Sequence, residues 1–285
     1  MSPAESGSIQ KEPARVPVET VPAVPFSMRY FRFGHGARPL VILPGLSVQS
    51  VMGSAEAVAE AYAGMAETFT VTLFDRRDDL PADYTVADMA RDTAEAMRAL
   101  GLSDVCLFGA SQGGMIAMLI AAEHPDLIAK LALGSTAAKV DEARAGALSD
   151  WLRLAEAGDA RGLYLAFGEA VYPEAVFSAY REAFCAMAET VTAEELARFV
   201  RLARAAVGFD ATNELASIRC PVLVLAASDD RVLGPDASDG IAEILGNRSD
   251  FSRHVYDGYG HAAYDTAPDY KERLYRFFTS SDSSR

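Results

Sequence analysis

Hydrophobic residues follow two alternating patterns from about residue 26 onward. Short apolar runs such as Pro39 to Leu43, Phe69 to Phe74 and Asp104 to Phe108 predict buried strands. Between them lie longer stretches with apolar residues on one helical face, of which Thr85 to Leu100, closed by Gly101, is the clearest. Because continuous apolar strands alternate with helices, the pattern predicts an α/β fold with a parallel sheet covered on both faces.

The alternation stops after Ser135, and the chain then has the pattern of helices only until about Phe209. Strand-like runs return at Pro221 to Ala226 and Ser252 to Tyr256. We therefore expect a core made of residues 26–138 and 210–285, with a helical insertion over 139–209. Residues 1–25 contain several prolines and no apolar segment of a signal peptide, which predicts an extended or disordered arm.

Composition and charge limit the kinds of partner that the protein is expected to bind. The 285 residues are 50% hydrophobic, and 26 basic against 40 acidic side chains give a formal charge of −14. This charge disfavours nucleic acid and anionic membranes as partners. The three widely spaced cysteines indicate neither a disulfide framework nor a zinc site. We expect a soluble, cytoplasmic protein with a small-molecule partner, and a homodimer is left open.

A serine stands at the centre of Gly109-Ala110-Ser111-Gln112-Gly113, between a predicted strand and a predicted helix. A nucleophile at such a tight turn is exposed, and the residues two positions away on either side must be tiny. The spacing favours Ser111 as a catalytic nucleophile; the alternative is an ordinary glycine-rich turn. A phosphate loop is disfavoured because its Gly-x-x-x-x-Gly-Lys pattern is absent from the sequence.

A serine nucleophile needs a base, and the sequence offers four histidines: His35 in a predicted hairpin turn, His124, His254 and His261. Sites in parallel sheets form at the carboxyl ends of strands. His261 lies in a loop right after the last predicted strand, so position and elimination favour it as the general base.

The base needs an orienting carboxylate, and Asp229 or Asp230, after the strand Pro221 to Ala226, could serve. An oxyanion hole needs two backbone donors. We expect these to be the N–H groups of Gln112 in the turn and of Leu46 in the loop after Leu43.

On these residues the chain resembles the α/β-hydrolase superfamily, in its form with a helical cap. The resemblance rests on the Ser111 turn, the following acid, the His261 loop and their order. It implies a mostly parallel central sheet flanked by helices, with an all-helical cap inserted after the strand ending near Ser135. The family's Gly-x-x-Asp pattern aligns with residues 227–230, with Ala in place of Gly, which places the acid at Asp230.

Two departures from the family pattern accompany this match. Pro44-Gly45 replaces a frequent His-Gly, which keeps the backbone donor and removes a supporting side chain. The family's Asp-x-Arg-Gly is here Asp75-Arg76-Arg77-Asp78, and no function is expected of that loop. Relatives that cleave carbon–halogen bonds or epoxides carry an aspartate nucleophile, so Ser111 argues against both activities.

The resulting expectation is a serine hydrolase that cleaves a carboxylic ester or similar small-to-medium acyl compound through an acyl-enzyme, without metal or organic cofactor. Trp151 and Tyr164 of the insertion, with Met115 and Tyr264, are expected to line the substrate pocket. Three alternatives stay open: cleavage of an amide, as in an aminopeptidase; cleavage of a carbon–carbon bond; and a non-catalytic small-molecule binding protein. The aminopeptidase alternative needs acidic residues near the pocket, and the insertion offers Glu169, Glu174, Glu182 and Glu189.

Overall fold

A computed structural model describes residues 15–281 and contains an eight-stranded sheet in the order β1-β2-β4-β3-β5-β6-β7-β8. The pairs from β4 through β3 to β8 are parallel, and β1 and β2 are added antiparallel at one edge. The predicted α/β class with a mostly parallel sheet is confirmed. The strands are β1 (Val18–Thr20), β2 (Arg29–Phe33), β3 (Arg38–Leu43), β4 (Phe69–Phe74), β5 (Val105–Ala110), β6 (Ile128–Gly134), β7 (Val222–Ala227) and β8 (Phe251–Tyr256).

Helices cover both faces of this sheet. They are α1 (Ala55–Ala61), α2 (Val86–Ala99), α3 (Gln112–Glu123), α4 (Gly146–Glu156), α5 (Ala160–Val171), α6 (Glu174–Glu189), α7 (Ala193–Ala206), α8 (Thr212–Leu215), α9 (Asp239–Leu245), α10 (Ala263–Thr266) and α11 (Tyr270–Thr279). Along β3, Val41 and Leu43 pack into the core under α2 and α3, whereas Leu40 and Ile42 pack into the core under α11. The period of two along the strand therefore supplies both cores.

The edge of the sheet near the N-terminus differs from the predicted hairpin. Strand β2 pairs with β4, which lies between β2 and β3, so the prediction of a hairpin turn at His35 is wrong. The chain leaves β2 at Gly34, whose φ is +78°, and His35 N–H then donates to Ala66 O at 2.9 Å. This contact carries the chain across the start of β4 before β3 begins.

The predicted arm over residues 1–25 falls partly outside the described residues. In the part from residue 15 onward, β1 extends the sheet through antiparallel pairing with β2. Val21 and Phe26 are buried after it. The described end of the arm is thus an edge strand, and packing of the core begins before residue 26.

The insertion after β6 consists of α4 to α7 and is closed by a narrow neck. Lys139 and Asp210 form a bridge with an ion pair of 3.1 Å, and Val140 N–H donates to Phe209 O at 2.8 Å. Both ends of the insertion therefore leave the sheet at one place, at the carboxyl end of β6. Among residues 15–281, no helix has both the length and the hydropathy that a membrane span needs.

Candidate active site

Ser111 occupies a strained turn between β5 and α3. Its φ and ψ are 52° and −121°, in a region that residues with a side chain seldom adopt. A Cβ on Gly109 would lie 2.3 Å from Gly113 O, and one on Gly113 would lie 2.0 Å from Leu43 O. Only glycine fits at either position, so both glycines permit the close approach of strand, turn and loop that holds Ser111 at the sheet edge.

The loop after β3 lies against Ser111. A Cβ on Gly45 would be 3.2 Å from Ser111 Cβ and 3.8 Å from its Oγ. The backbone N–H groups of Leu46, next in this loop, and of Gln112, first in α3, donate to no acceptor within residues 15–281. Two unpaired donors thus flank the serine, as an oxyanion hole requires.

His261 and Asp230 form a buried pair. His261 Nδ1 lies 2.8 Å from Asp230 Oδ2, and the two residues are 3% and 4% exposed. Asp230 Oδ1 accepts from Val232 N–H at 2.8 Å and Leu233 N–H at 3.0 Å. Since an ionised carboxylate only accepts, Nδ1 is the ring nitrogen that donates to Asp230.

The environment keeps the Asp230 carboxyl ionised. Burial alone would raise its pKa, but the adjacent His261 and the hydrogen bonds it receives bring the pKa below the usual range. An ionised acceptor fixes the imidazole tautomer and stabilises an imidazolium. A general base and its orienting acid require this arrangement.

Of the two candidate acids, the structure brings Asp230 to His261. Asp229 is exposed, and its N–H donates to Tyr259 O at 2.9 Å. Ser111 and His261 lie at the carboxyl ends of β5 and β8, on one sheet edge. No hydrogen bond joins the Ser111 hydroxyl to the His261 ring among the described residues. The position of Ser111 is therefore set by its strained turn at the carboxyl edge of the sheet.

A cavity of about 700 Å³ opens between the loop after β3, helices α5 and α6, and α10. Gly45, Leu46 and Ala110 form its wall next to Ser111, and aromatic side chains of the insertion form the opposite wall. Another cavity, about 760 Å³, lies at the amino ends of the parallel strands, around Pro125 and Cys220. Ligands of parallel sheets bind at the carboxyl ends, so the first cavity is the candidate substrate site.

Two of the four residues expected to line this pocket do so. Tyr164 and Tyr264 are on the cavity wall, whereas Trp151 and Met115 are not among its lining residues. Trp151 is 3% exposed and packs against Phe167 at a ring distance of 4.5 Å. Met115, on α3, is 1% exposed and packs in the hydrophobic core. The side chains of Trp151 and Met115 pack inside the protein, and Phe167 lines the cavity instead.

The family model for the alpha/beta hydrolase fold matches residues 38–268. This chain belongs to the alpha/beta hydrolase family. A relative from Caulobacter vibrioides that is named a carbamate hydrolase, RutD, is 28% identical over 221 residues, which cover 75% of this chain and 82% of the relative. The chain is thus an enzyme of this family, as its hydrolase-named relatives indicate.

Solved structures of other hydrolases share the fold. An α/β hydrolase from a Medee basin deep-sea metagenome library superposes with a TM-score of 0.82 at 18% identity, covering 94% of this chain and 99% of the other. A thermophilic esterase from Thermogutta terrifontis gives 0.72 at 22% identity, covering 93% and 98%. At these identities the likeness concerns the fold.

The loop after β4 holds a residue of this α/β hydrolase that the sequence reasoning missed. Arg76 is 5% exposed, and its Nη2 donates to Pro44 O at 2.7 Å and to Gln112 Oε1 at 3.2 Å. Burial lowers the pKa of Arg76 to about 10, against the raising effect of Asp75. The guanidinium thus connects the loop after β3 to the start of α3, and Ser111 lies between these two segments.

Asp75 extends this contact to the insertion. It is 3% exposed and accepts from Ser50 Oγ at 2.6 Å and from Arg198 Nη2, on α7, at 3.0 Å. In the sequence, Asp75 and Arg76 are recognisable only as charged residues directly after a predicted buried strand. Charges in that position usually face solvent, and their partners lie far away along the chain.

Arg198→Met is expected to destabilise the fold by about 3 kcal/mol, because it leaves the buried Asp75 carboxylate without its partner on α7. Arg204→Met is a matched control on the same helix. Its ion pair with Glu156 is exposed and is worth at most about 1 kcal/mol. Urea unfolding of both variants measures the difference, and equal losses would show that the Asp75 pair does not stabilise the insertion on the core.

Proposed function

We propose that this α/β hydrolase cleaves a carboxylic ester or a similar small-to-medium acyl compound through a Ser111–His261–Asp230 triad. The observation that carries the proposal is the buried His261–Asp230 pair, 2.8 Å apart, at the sheet edge where the strained turn presents Ser111. A serine, a base and an acid orienting that base are the parts that acyl transfer needs.

In the proposed reaction, His261 Nε2 removes the Ser111 hydroxyl proton as Oγ attacks the carbonyl carbon. The N–H groups of Leu46 and Gln112 hold the oxyanion of the tetrahedral intermediate. The intermediate collapses, the bond to the leaving oxygen breaks, and His261 returns the proton to the departing alcohol. A water molecule, deprotonated by His261, then hydrolyses the acyl-enzyme and releases the acid.

The same groups could act on a carbamate, whose carbonyl carries one ester oxygen and one amide nitrogen. The name of the Caulobacter relative supports this as the second candidate. The glutamates considered for an aminopeptidase, Glu169, Glu174, Glu182 and Glu189, are all exposed on α5 and α6 and none lines the cavity, whereas Glu195 and Asp265 do line it. No feature of the cavity favours a carbon–carbon bond.

Hydrolysis of p-nitrophenyl esters from acetate to laurate, beside a p-nitrophenyl carbamate and an aminoacyl p-nitroanilide, tests the proposal. Turnover of the shorter esters above that of the anilide is expected. Faster turnover of the carbamate would favour the second candidate. Absence of turnover with every compound, together with no release of a first equivalent of nitrophenol, would favour a non-catalytic binding protein.

Tyr164→Ala is expected to shift the acyl-chain preference toward longer esters, because it removes an aromatic wall of the cavity. A methylene in an apolar pocket changes kcat/KM by about tenfold or more, which sets the scale of the shift in the ratio between long and short esters. Tyr164→Phe is the control: it keeps the ring and loses only the hydroxyl that donates to Gln49 at 2.9 Å. If both variants keep the parent profile, Tyr164 does not contact the acyl chain.

A further inference from the structure

One end of the cavity is lined by polar groups that the proposed acyl chemistry does not use. Tyr264 and Asp265, on α10, face Tyr62 from the segment after α1 and Tyr172 from the end of α5. Electrostatic interactions link Asp265 to all three phenols. Tyr264 and Asp265 lie three and four residues beyond His261 along the chain. The group of Tyr62, Tyr172, Tyr264 and Asp265 is called the tyrosine–aspartate end below.

The hydrogen-bonding capacity of this end is mostly unused. The Asp265 carboxylate accepts one hydrogen bond from the described part of the chain, from Tyr172 OH at 3.3 Å. Tyr62 is 8% exposed, yet its hydroxyl has no hydrogen-bond partner within residues 15–281. An unpaired phenol on a cavity wall, beside an exposed carboxylate that accepts one hydrogen bond from the described residues, offers donor and acceptor capacity to a ligand in the cavity.

The nearest protein cation does not satisfy this carboxylate. Lys271 Nζ donates to Tyr264 O at 2.9 Å and lies over the Tyr62 ring, 5.4 Å from its centroid. Within residues 15–281 it makes no ion pair with Asp265. Asp265 itself is exposed, so water reaches its carboxylate. A ligand that brings a hydrogen-bond donor next to the carboxylate would take the place of that water.

We propose that the tyrosine–aspartate end is a subsite that binds a hydrogen-bond-donating group, a hydroxyl or an ammonium, at the far end of the substrate's acyl chain. Asp265 accepts the hydrogen bond, Tyr62 adds a second polar contact, and the aromatic rings enclose the group. This inference rests on the proposed function, since it assigns the acyl chain to the same cavity. It makes the substrate an acyl compound with a polar terminus, whereas the aromatic walls alone indicate an apolar one.

The test compares p-nitrophenyl esters of equal chain length whose acyl chains end in methyl, hydroxyl or ammonium. Asp265→Asn is expected to lower the kcat/KM of the ammonium ester, relative to the methyl ester, by about tenfold or more, as for loss of a hydrogen bond between charged groups. A smaller fall is expected for the hydroxyl ester. Asp83→Asn removes the same charge from an exposed position and is expected to change none of the three. Equal falls for all three esters with Asp265→Asn, or no fall in either ratio, would overturn the subsite.

A binding measurement separates this inference from the proposed function. Linear amides of equal length that end in methyl, hydroxyl or ammonium are titrated into the Ser111→Ala protein by calorimetry. Preference for the polar termini, lost when Asp265→Asn is added, supports the subsite even if the wild-type enzyme hydrolyses none of the esters. Preference for the methyl terminus overturns the subsite while leaving ester hydrolysis intact.

Discussion

Ser111→Ala is expected to lower the kcat for ester hydrolysis by about 10⁴- to 10⁶-fold. The substitution removes the only atom that forms the acyl-enzyme in the proposed mechanism, and His261 and the oxyanion donors cannot supply another. The alanine adopts the same turn with a smaller side chain, so the unfolding midpoint is expected to be retained. Initial rates on a short p-nitrophenyl ester, with active-site titration of the parent, measure the loss.

Ser135→Ala is the matched control. Ser135 lies at the carboxyl end of the neighbouring strand β6, with a left-handed φ of 43° and a buried hydroxyl. Its replacement removes the same atom from a residue that also has a positive φ, one strand away from the turn. We expect its rate to stay within a few-fold of the parent. Comparable rates for Ser111→Ala and the parent would contradict the acyl-enzyme mechanism.

Asp230→Asn is expected to lower kcat by about 10³- to 10⁴-fold. The asparagine retains the size of the aspartate, but its amide can donate to Nδ1, which then leaves the proton on Nε2, the atom that must accept from Ser111. The charge that stabilises the imidazolium is lost as well. The steady-state kcat and the rate of the first turnover both measure the effect.

Asp229→Asn supplies the comparison, because Asp229 is the adjacent residue, carries the same charge and is exposed. A change of less than about threefold is expected, typical of a surface charge away from the reacting atoms. A large loss with Asp229→Asn and a small one with Asp230→Asn would mean that the 2.8 Å contact of Asp230 with His261 does not serve catalysis.

The features of the site that depend on local geometry could be predicted from sequence. A strand and a helix can meet this closely only if the residues two positions from Ser111 are small. In the structure, a Cβ on Gly109 or Gly113 would clash with neighbouring backbone atoms. The prediction of a sheet with parallel strands also rested on local apolar runs. These signals lie within about ten residues of the feature they predict.

The missed features depend on contacts between distant parts of the chain. Arg76 meets Pro44 across 32 positions, and Arg198 meets Asp75 across 123. Trp151 belongs to an amphipathic helix whose apolar face could cover the cavity or a neighbouring helix, and in the structure it packs on Phe167. The pairing of β2 with β4 has the same cause, since a turn at Gly34 does not specify which strand follows as a neighbour.

Reaction of the protein with a fluorophosphonate, followed by peptide mass spectrometry, tests the central claim most directly. The reagent phosphonylates a serine only where a base and an oxyanion hole activate it. The account predicts one adduct, on the peptide that contains Ser111, formed much more slowly by Asp230→Asn and absent from Ser111→Ala. An adduct on a different serine, or an unlabelled Ser111 in folded protein, would contradict it.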